Sequence, residues 1–278
     1  MNEQQTTLDR YAVMGNPIGH SKSPQIHTQF ATQTNQSLIY QALLVELGDF
    51  PAAVAAFHAA GGKGLNITVP FKQEAWQLAQ IRTPRAERAG AVNTLWWNES
   101  GQLSGDTTDG VGLVHDLRNN HGLSLAGQRI LLLGAGGAAR GVVESLLAEQ
   151  PHELVIANRT ATKATELAAL FHPLGPVSSC DFDALDTRQF DLVINATAAG
   201  LSGTVPPIPS TVFANKAWAY DMMYATEPTA FVRWALQAGA AQARDGLGML
   251  VEQAAEAFWI WRGVRPATGP VIELLRKS

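Results

Sequence analysis

The chain has 278 residues, a formal net charge of −4, 46% hydrophobic residues and 16% charged residues. This composition supports a sizeable buried core and excludes long disorder, and the length is typical of two domains. The sequence has no basic block of the kind that forms a nucleic-acid-binding surface. No window approaches the roughly 18 consecutive apolar residues of a membrane span, so we expect the protein to bind neither nucleic acid nor a membrane.

The single cysteine and the N-terminal residues predict the compartment. Cys180 has no partner for an internal disulfide and no spaced ligands for a metal ion, so we expect a small buried side chain and no metal site. Residues 1–9 are polar and have no apolar core of signal-peptide length. The sequence therefore predicts a cytoplasmic protein.

The first part of the chain alternates short apolar runs with amphipathic stretches. These patterns predict strands at residues 11–14, 38–45 and 65–69, and helices at 24–34, 49–60 and 71–81. Residues 91–97 and 102–104 flank a turn at 98–101, which predicts a hairpin.

From Gly127 onward the alternation is tighter. We predict strands at 129–133, 153–157, 191–195, 217–221 and 240–244. We predict helices from the end of the segment 134–139 to about 149, and at 162–171, 248–261 and 268–276. Strands that alternate with helices of this length are typical of a parallel sheet with right-handed crossovers. The fold class predicted is therefore α/β.

A glycine-rich turn follows the apolar strand at 129–133 and opens an apolar-periodic helix. Its residues are Gly134, Ala135, Gly136, Gly137 and Ala138. Glycines in this context let the backbone turn tightly and approach a pyrophosphate, whose charge is then bound by free N–H groups at the helix start. We predict a dinucleotide site; the alternative is an ordinary strand-to-helix turn.

The end of the next strand indicates which dinucleotide binds. An NAD site places an acidic residue there, about 20 residues after the glycines. This chain has Asn158, Arg159 and Thr160, then Lys163, and no Asp or Glu between residues 155 and 164. A ribose 2′-phosphate requires cations and hydroxyl donors, and a carboxylate would repel it. The pattern therefore predicts NADP.

Polar clusters precede the glycine turn, each where a predicted strand or turn ends. They contain Ser21, Ser23, Asn66, Thr68, Lys72, Asn93 and Asp109. Strand ends are the usual ligand position in open α/β sheets, and a plain cofactor domain has no need of these groups. Individually they have structural alternatives: the serines as caps before Pro24, Lys72 as a solvated cation and Asp109 as the N-cap of a helix at 110–117.

The sequence resembles the shikimate dehydrogenase family along nearly its whole length. The matching segments are GNPIGHSKSP from Gly15, NITVPFK from Asn66, GAVNT from Gly90, GAGGA from Gly134, NRT from Asn158, NAT from Asn195, YDM from Tyr220 and DGLGM from Asp245. The resemblance implies reversible reduction of 3-dehydroshikimate to shikimate by NADPH, in chorismate and aromatic amino acid biosynthesis. It also implies a substrate-binding domain from residues 1–108, completed by 247–278, and a Rossmann-like NADP-binding domain from 109–246.

The same resemblance implies a role for individual residues. Ser21 and Ser23 would bind the substrate carboxylate, and Lys72 and Asp109 would form the acid–base pair at the reacting oxygen. The implied substrate-binding set is Ser21, Ser23, Asn66, Thr68, Lys72, Asn93, Asp109, Tyr224 and Gln253. The implied NADP-binding set is Gly134, Ala135, Gly136, Gly137, Ala138, Asn158, Arg159, Thr160, Lys163, Met222 and Gly246.

Ketone reduction explains why this residue pair is suitable. The cofactor supplies the hydride, so the protein must orient the ring and deliver a proton. Lys72 can donate that proton and stabilise the developing alkoxide, while Asp109 keeps the ammonium charged and aimed. Tyr224 stays open between substrate contact and packing.

Two alternative functions remain possible, and the sequence departs from the family pattern at one position. A quinate or dual quinate/shikimate dehydrogenase, NAD-dependent in some members, is the nearest alternative, and a non-catalytic sensor of NADP and a ring acid is the other. The family usually has Asn where this chain has Thr107, for which we expect local adjustment without loss of activity. We expect a monomer or homodimer, structural roles for His20 and His27, and tryptophans that pack in the core and the domain interface.

Overall fold

Two six-stranded sheets organise the chain, one in each of two structural units. The computed structural model describes residues 8–197, 199 and 203–277, so most of the polar segment at 1–9 lies outside the described residues. The first unit comprises Met1–Thr108 and Gln253–Glu273, and the second comprises Asp109–Glu252 and Leu274–Ser278. Residues 247–252 and 274–278, which the sequence assigned to the substrate domain, cluster with the second unit; the domain limits themselves stay a prediction.

The N-terminal elements build the first unit. In chain order they are β1 (Asp9–Gly15), α1 (Ser23–Thr34), β2 (Leu38–Leu44), α2 (Phe50–Ala59), β3 (Gly62–Ile67), α3 (Lys72–Leu78), β4 (Ile81–Arg82), α4 (Pro84–Ala89), β5 (Thr94–Trp97) and β6 (Leu103–Asp106). The strand order is β2-β1-β3-β5-β6-β4. The pairs β1–β2, β1–β3 and β4–β6 are parallel, whereas β3–β5 and β5–β6 are antiparallel.

The remaining elements form the second unit and the two C-terminal helices. They are α5 (Asp109–His115), followed by a π-helical turn (Asp116–Asn120), β7 (Arg129–Leu133), α6 (Gly137–Ala148), β8 (Glu153–Ala157), α7 (Ala161–Phe171), β9 (Val177–Cys180), β10 (Phe190–Asn195), β11 (Phe213–Asp221), α8 (Ala230–Gln237), β12 (Gln242–Asp245), α9 (Leu247–Arg262) and α10 (Gly269–Arg276). The strand order is β12-β11-β10-β7-β8-β9, and every neighbouring pair is parallel.

Each sheet is covered by apolar side chains. In the first unit, Phe50 and Phe71 stack with ring centroids 5.0 Å apart and pack with Leu65 and Leu95. In the second unit, buried residues of α6 and α7, among them Leu146 and Leu167, cover one side of the sheet. Residues of α8 and of the loops, among them Phe231 and Phe182, cover the other side. Parallel strands buried on both faces are expected to be continuously apolar, as β7 is.

The α/β class predicted from sequence is confirmed, and several elements differ from their predicted limits. The predicted strand at 65–69 begins at Gly62 and ends at Ile67. The helix expected from residue 110 begins at Asp109, so this residue lies inside the first turn and is not the N-cap. The elements α4, α8, β4 and β9 had not been predicted. In the described part of the chain, no helix has the length and apolar composition needed to span a membrane.

Candidate functional site

Except for Gln253, the predicted substrate residues of the first unit lie at or next to the ends of its strands and helices. Ser21 and Ser23 lie between β1 and the body of α1, Asn66 lies near the end of β3, and Lys72 opens α3. Thr68 and Asn93 lie in the connections that follow β3 and precede β5, and Gln253 lies on α9. All of these residues belong to the same unit.

The two serines are joined to each other and to the sheet. The Ser23 backbone N–H donates to Ser21 Oγ over 3.3 Å, and Ser23 is buried. The residue in the N-cap position of α1 is Lys22, which provides no side-chain cap, and Ser21 Oγ accepts from the first N–H of the helix instead. Burial raises the pKa of Tyr40 well above 10.0, and a hydrogen bond with Ser23 opposes part of that shift. Ser23 therefore contacts the hydroxyl of Tyr40 on β2.

Asn66 connects this hydroxyl cluster to the residues before β5. Tyr40 Oη donates to Asn66 Oδ1 over 2.7 Å. Asn66 Nδ2 donates to Thr94 Oγ1 over 3.2 Å and to the Asn93 carbonyl over 3.3 Å. Because both ends of the amide are engaged and the residue is buried, Asn66 is held in one orientation. The sequence had not identified Tyr40 as part of this cluster.

Asn93 and Gln253, which are separated by 160 positions in the chain, are in direct contact. Asn93 Nδ2 donates to Gln253 Oε1 over 3.2 Å and to Thr108 Oγ1 over 3.0 Å. Asn93 Oδ1 accepts from the Thr108 N–H over 2.9 Å and from Thr94 Oγ1 over 2.8 Å. Both amide side chains are buried. The structure therefore brings together two of the predicted substrate residues.

The backbone connects Lys72 to the same cluster. The Lys72 carbonyl accepts from the Val92 N–H over 2.9 Å, which ties the first turn of α3 to the residue before Asn93. Thr68 is tied at both sides: its N–H donates to the Met14 carbonyl over 3.0 Å, and its carbonyl accepts from the Phe71 N–H over 3.0 Å. The Lys72 side chain is half-buried, which suits a group that must reach a bound ligand.

Two predicted substrate residues belong to the second unit. Asp109 is buried in the first turn of α5, where the positive end of the helix dipole favours a carboxylate. Tyr224 follows β11 and is half-buried. Asp109 therefore lies at an element end, as the sequence predicted, and Tyr224 lies in the segment after β11.

The glycine turn after β7 has the geometry that a pyrophosphate needs. Gly134 has a φ of 108°, which residues other than glycine rarely adopt. Its N–H donates to the Ala157 carbonyl over 2.8 Å. α6 starts at Gly137, and the N-cap residue Gly136 supplies no side-chain cap. The first N–H groups of this twelve-residue helix therefore lack a side-chain cap and suit an anionic group.

The cationic cluster that suggested NADP follows β8, the strand that pairs with β7 next to the glycine turn. β8 pairs in parallel with β7 and ends at Ala157, directly before Asn158. Asn158 Nδ2 donates to the Thr160 carbonyl over 3.0 Å, which shapes the turn into α7. Arg159, Thr160 and Lys163 are all exposed. Two cations and a hydroxyl, in a segment whose sequence contains no carboxylate, suit a 2′-phosphate.

A buried network that the sequence missed builds the turn around Met222 and Gly246. Asp221 is fully buried and accepts from Asn195 Nδ2 over 3.0 Å, from the Met223 N–H over 3.1 Å and from Thr229 Oγ1 over 2.6 Å. Burial raises the pKa of Asp221, and these hydrogen bonds oppose the shift. Polar residues that end two apolar strands, Asn195 and Asp221, were the signal available in the sequence.

Gly246 lies against this turn with no room for a side chain. Its N–H donates to the Met223 carbonyl over 2.9 Å, and the Met222 N–H donates to the Asn195 carbonyl over 2.9 Å. A Cβ at position 246 would lie 2.4 Å from the Met222 carbonyl oxygen, which is too close for any residue except glycine. The structure therefore brings together the predicted cofactor residues Met222 and Gly246.

Some predicted structural roles need correction. Burial lowers the pKa of His27 to about 3, with partial opposition from Asn66, and the ring stacks on Tyr40 with centroids 4.1 Å apart. Among the described residues neither ring nitrogen finds a hydrogen-bond partner of good geometry, so packing holds the buried ring. Cys180 is half-buried, not buried. Trp259 is 46% exposed, whereas Trp261 stacks on Tyr11 at 4.8 Å.

Comparison with known proteins gives one family over the whole chain. Three family models match it: the shikimate dehydrogenase substrate binding domain at residues 13–95, shikimate / quinate 5-dehydrogenase at 116–202, and the shikimate 5′-dehydrogenase C-terminal domain at 246–276. Shikimate dehydrogenase (NADP(+)) of Alkalilimnicola ehrlichii is 60% identical over 268 residues, which cover 96% of this chain and 98% of that protein.

Two further relatives agree. Shikimate dehydrogenase (NADP(+)) of Nitrosococcus oceani is 57% identical over 270 residues, covering 97% of this chain and 96% of that protein. The crystal structure of shikimate 5-dehydrogenase from Thermus thermophilus, in complex with NADP(H) and shikimate, superimposes with a TM-score of 0.86 at 32% identity and covers 97% of this chain and 99% of that one. This chain belongs to the shikimate dehydrogenase family.

Proposed function

We propose that this chain catalyses the reversible NADPH-dependent reduction of 3-dehydroshikimate to shikimate, a step of chorismate and aromatic amino acid biosynthesis. The observation that carries the proposal is the identity of 57% and 60%, over 96% or more of the chain, to proteins named shikimate dehydrogenase (NADP(+)). A buried polar cluster in the first unit and an uncapped glycine turn in the second supply the two binding functions that this reaction requires.

The substrate carboxylate is assigned to Ser21 and Ser23, with Thr68 beside them. Hydroxyl and backbone N–H groups are suitable donors to a carboxylate. The ring hydroxyls are assigned to Asn93 and Gln253, whose amides already face each other at 3.2 Å, with Asn66 behind them and Tyr224 at the same edge of the ring. Amides can both donate to and accept from a hydroxyl, so such a pair can read its position.

Lys72 and Asp109 are assigned the proton chemistry. Bound NADPH supplies the hydride. Lys72 Nζ donates a proton to the oxygen that gains charge and stabilises that charge in the transition state. The Asp109 carboxylate keeps the ammonium protonated and aimed, and in the reverse direction Lys72 accepts the proton of the substrate hydroxyl.

NADP binding is assigned to the carboxyl ends of the parallel strands in the second unit. The N–H groups that open α6, within 134–138, bind the pyrophosphate. Arg159 and Lys163, with Asn158 and Thr160, bind the 2′-phosphate, while Met222 and Gly246 border the nicotinamide. We further propose a cytoplasmic location, where NADPH is regenerated, and action as a monomer or homodimer.

Turnover by the purified chain tests the reaction. NADPH consumption should begin when 3-dehydroshikimate is added, and kcat/KM in the reverse direction should be higher for shikimate than for quinate. A higher kcat/KM for quinate would overturn the substrate assignment and leave the oxidoreductase activity in place.

A substitution tests the proton donor. Lys72→Ala should retain NADP binding and lose at least about 100-fold in kcat, which is the usual scale for a lost acid–base group. The matched control is Lys63→Ala, an exposed lysine on β3 of the same unit, which should keep its kcat. Near-normal kcat in Lys72→Ala would remove this residue from the mechanism.

A further inference from the structure

Arg85, in the first turn of α4, lies between two buried carboxylates of the first unit. Its Nε donates to Asp106 Oδ1 over 2.7 Å and its Nη2 to Asp106 Oδ2 over 2.5 Å, which is the bidentate geometry. The same Nη2 lies 3.4 Å from Glu256 Oε1. Asp106 is 3% exposed and Glu256 is 5% exposed. One guanidinium therefore links the end of β6 to α9.

The two carboxylates stabilise the charged form of Arg85 despite its burial. Burial alone would lower the pKa of Arg85, but the hydrogen bonds and charges of Asp106 and Glu256 raise it above its usual value. Asp106 also accepts from Thr83 Oγ1 over 2.5 Å and from the Thr107 N–H over 2.7 Å. Glu256 also pairs with Arg265 through its other carboxylate oxygen, so displacement of the Arg85 guanidinium would deprive chiefly the buried Asp106 of its cation.

Both ends of the bridge lie next to the proposed substrate residues. The Asp106 carbonyl accepts from the Asn93 N–H over 3.0 Å, and Asp106 is followed by Thr107 and then Thr108, which hydrogen-bonds to the Asn93 side chain. Glu256 lies three positions after Gln253 on α9, which places the two side chains on the same face of the helix. Arg85 is therefore tied to both chain segments that meet at the 3.2 Å contact between Asn93 and Gln253.

We propose that Arg85 is a positioning residue for substrate binding: by bridging Asp106 and Glu256 it holds Asn93 and Gln253 in the geometry that binds the ring. The inference rests on the proposed function, since the ring it concerns is that of shikimate. The ion pairs by themselves contribute little net stability, because apolar residues of the same volume would often pack as well. Their effect is geometric, and a misplacement of about 1 Å in a site can cost on the order of 100-fold in rate.

Steady-state kinetics with shikimate and NADP⁺ test this role. Arg85→Met should raise the KM for shikimate about 10-fold or more while the KM for NADP⁺ stays within about twofold of the wild type. Arg85→Lys should give a smaller rise, because an ammonium keeps the charge but cannot make the bidentate contact. The matched control is Arg10→Met, an exposed arginine of the same unit that donates to the Ala60 carbonyl, and it should change neither constant.

A double variant separates positioning from stability. Arg85→Met leaves Asp106 buried without its cation, so its melting temperature should fall; adding Asp106→Asn removes that charge and should restore part of the melting temperature. If Arg85 positions the site, the KM for shikimate stays raised in the double variant. A KM that recovers together with the melting temperature would overturn the proposal.

The outcomes also distinguish the role of Arg85 from the reaction itself. Equal KM values for shikimate in active wild type, Arg85→Met and Arg85→Lys would overturn only the positioning role. A wild type without turnover of shikimate would overturn both proposals. If Arg85→Met does not fold, the KM of Arg85→Lys decides the question.

Discussion

The proposed substrate residues of the first unit and the proposed phosphate-binding residues of the second differ in what they contact within the protein. Asn66, Asn93 and Gln253 are buried and hydrogen-bonded to the protein's own groups. Arg159 is exposed in the turn after β8, and Lys163 is exposed in the first turn of α7. The first set is fixed by the fold, whereas the second consists of long, exposed cationic side chains.

This difference has a physical consequence for each ligand. A fixed polar set loses little conformational entropy when a small ring binds, and it discriminates between hydroxyl positions because buried polar groups are costly to leave unpaired. Exposed cationic side chains can adjust to the position of a phosphate, because the attraction between the opposite charges does not require one exact geometry. Substitutions in the first set should therefore change stability and binding together, and substitutions in the second should change binding alone.

Arg159→Met should separate ligand binding from stability more than any other substitution proposed here. We expect the KM for NADPH to rise roughly 10- to 100-fold, which is the value of a charge-assisted hydrogen bond to a phosphate. The free energy of unfolding should stay within about 0.5 kcal/mol of the wild type, because the side chain is exposed. Kinetics and urea unfolding on the same preparations measure both.

The control for Arg159 is Arg118→Met, another arginine of the second unit, whose side chain is 53% exposed and paired with Glu149. It should leave the KM for NADPH unchanged. An unchanged KM in Arg159→Met itself would contradict the assignment of this residue to the cofactor.

His27 tests how firmly the first set is buried. Burial lowers its pKa from 6.5 to about 3. Because the folded-state pKa lies below the unfolded one, the unfolded chain takes up the proton first as the pH falls. The stability contributed by neutral His27 is therefore complete well above pH 6.5 and is lost progressively toward pH 3. Between pH 7 and pH 5 this loss amounts to roughly 2 kcal/mol.

Unfolding in urea at both pH values measures that loss. The variant His27→Phe, which keeps a ring against Tyr40 and Phe258, should lack this part of the pH dependence. The exposed His20 provides the control, and His20→Gln should retain it. A pH dependence that is the same in His27→Phe and the wild type would show that the folded protein protonates His27 as readily as the unfolded chain does.

Tyr40→Phe removes one hydroxyl from the buried cluster. Asn66 Oδ1 then loses its donor at 2.7 Å, so the free energy of unfolding should fall by about 1–2 kcal/mol. The KM for shikimate should rise at the same time, because the hydroxyl also contacts Ser23. Tyr11→Phe is the comparison, since that hydroxyl contacts the partly buried Arg262 and its loss should cost less. A stable Tyr40→Phe with normal KM would break the coupling that the first set is expected to show.

The sequence predicted the parts of the fold whose signal is local. Strands β7 and β8 occupy the predicted residues 129–133 and 153–157 because, after one charged residue, each has four consecutive apolar residues, as a strand buried on both faces requires. β9 was missed because VSSC is largely polar, and its strand conformation comes from pairing with β8. The helices α4 and α8 have caps, Thr83 and Thr229, which accept from Ala86 and Val232 N–H groups and could have revealed them.

For the candidate site too, the sequence indicated only the residues whose signal is local. Polar residues that end apolar strands gave candidates that the structure places at or next to element ends, whereas Gln253, in the middle of α9, came only from the family resemblance. The residues that hold them were not predictable, because each acts through a contact distant in sequence. Tyr40 reaches Asn66 across 26 positions, and Arg85 reaches Glu256 across 171. Neither residue differs locally from an ordinary core tyrosine or surface arginine.

Thr107 offers the smallest and most pointed test, because it is a buried neighbour of the first set whose hydroxyl is not hydrogen-bonded to the described part of the protein. Thr107 is 3% exposed, and within the described residues its hydroxyl has no hydrogen-bond partner, whereas the neighbouring Thr108 bonds to Asn93. Thr107→Val keeps the shape and removes the buried hydroxyl, so the free energy of unfolding should stay equal or rise by up to about 1 kcal/mol. The kcat/KM for shikimate should stay within about twofold, in line with the tolerance expected where the family usually has Asn.

The same substitution one residue later is the control. Thr108→Val removes a hydroxyl that bonds to Asn93 and Gln253, and it should lower the free energy of unfolding by about 1–2 kcal/mol and raise the KM for shikimate. If Thr107→Val proved as damaging as Thr108→Val in urea unfolding and in kinetics, the Thr107 hydroxyl would have a partner such as a bound water. The fixed set of the first unit would then extend to Thr107.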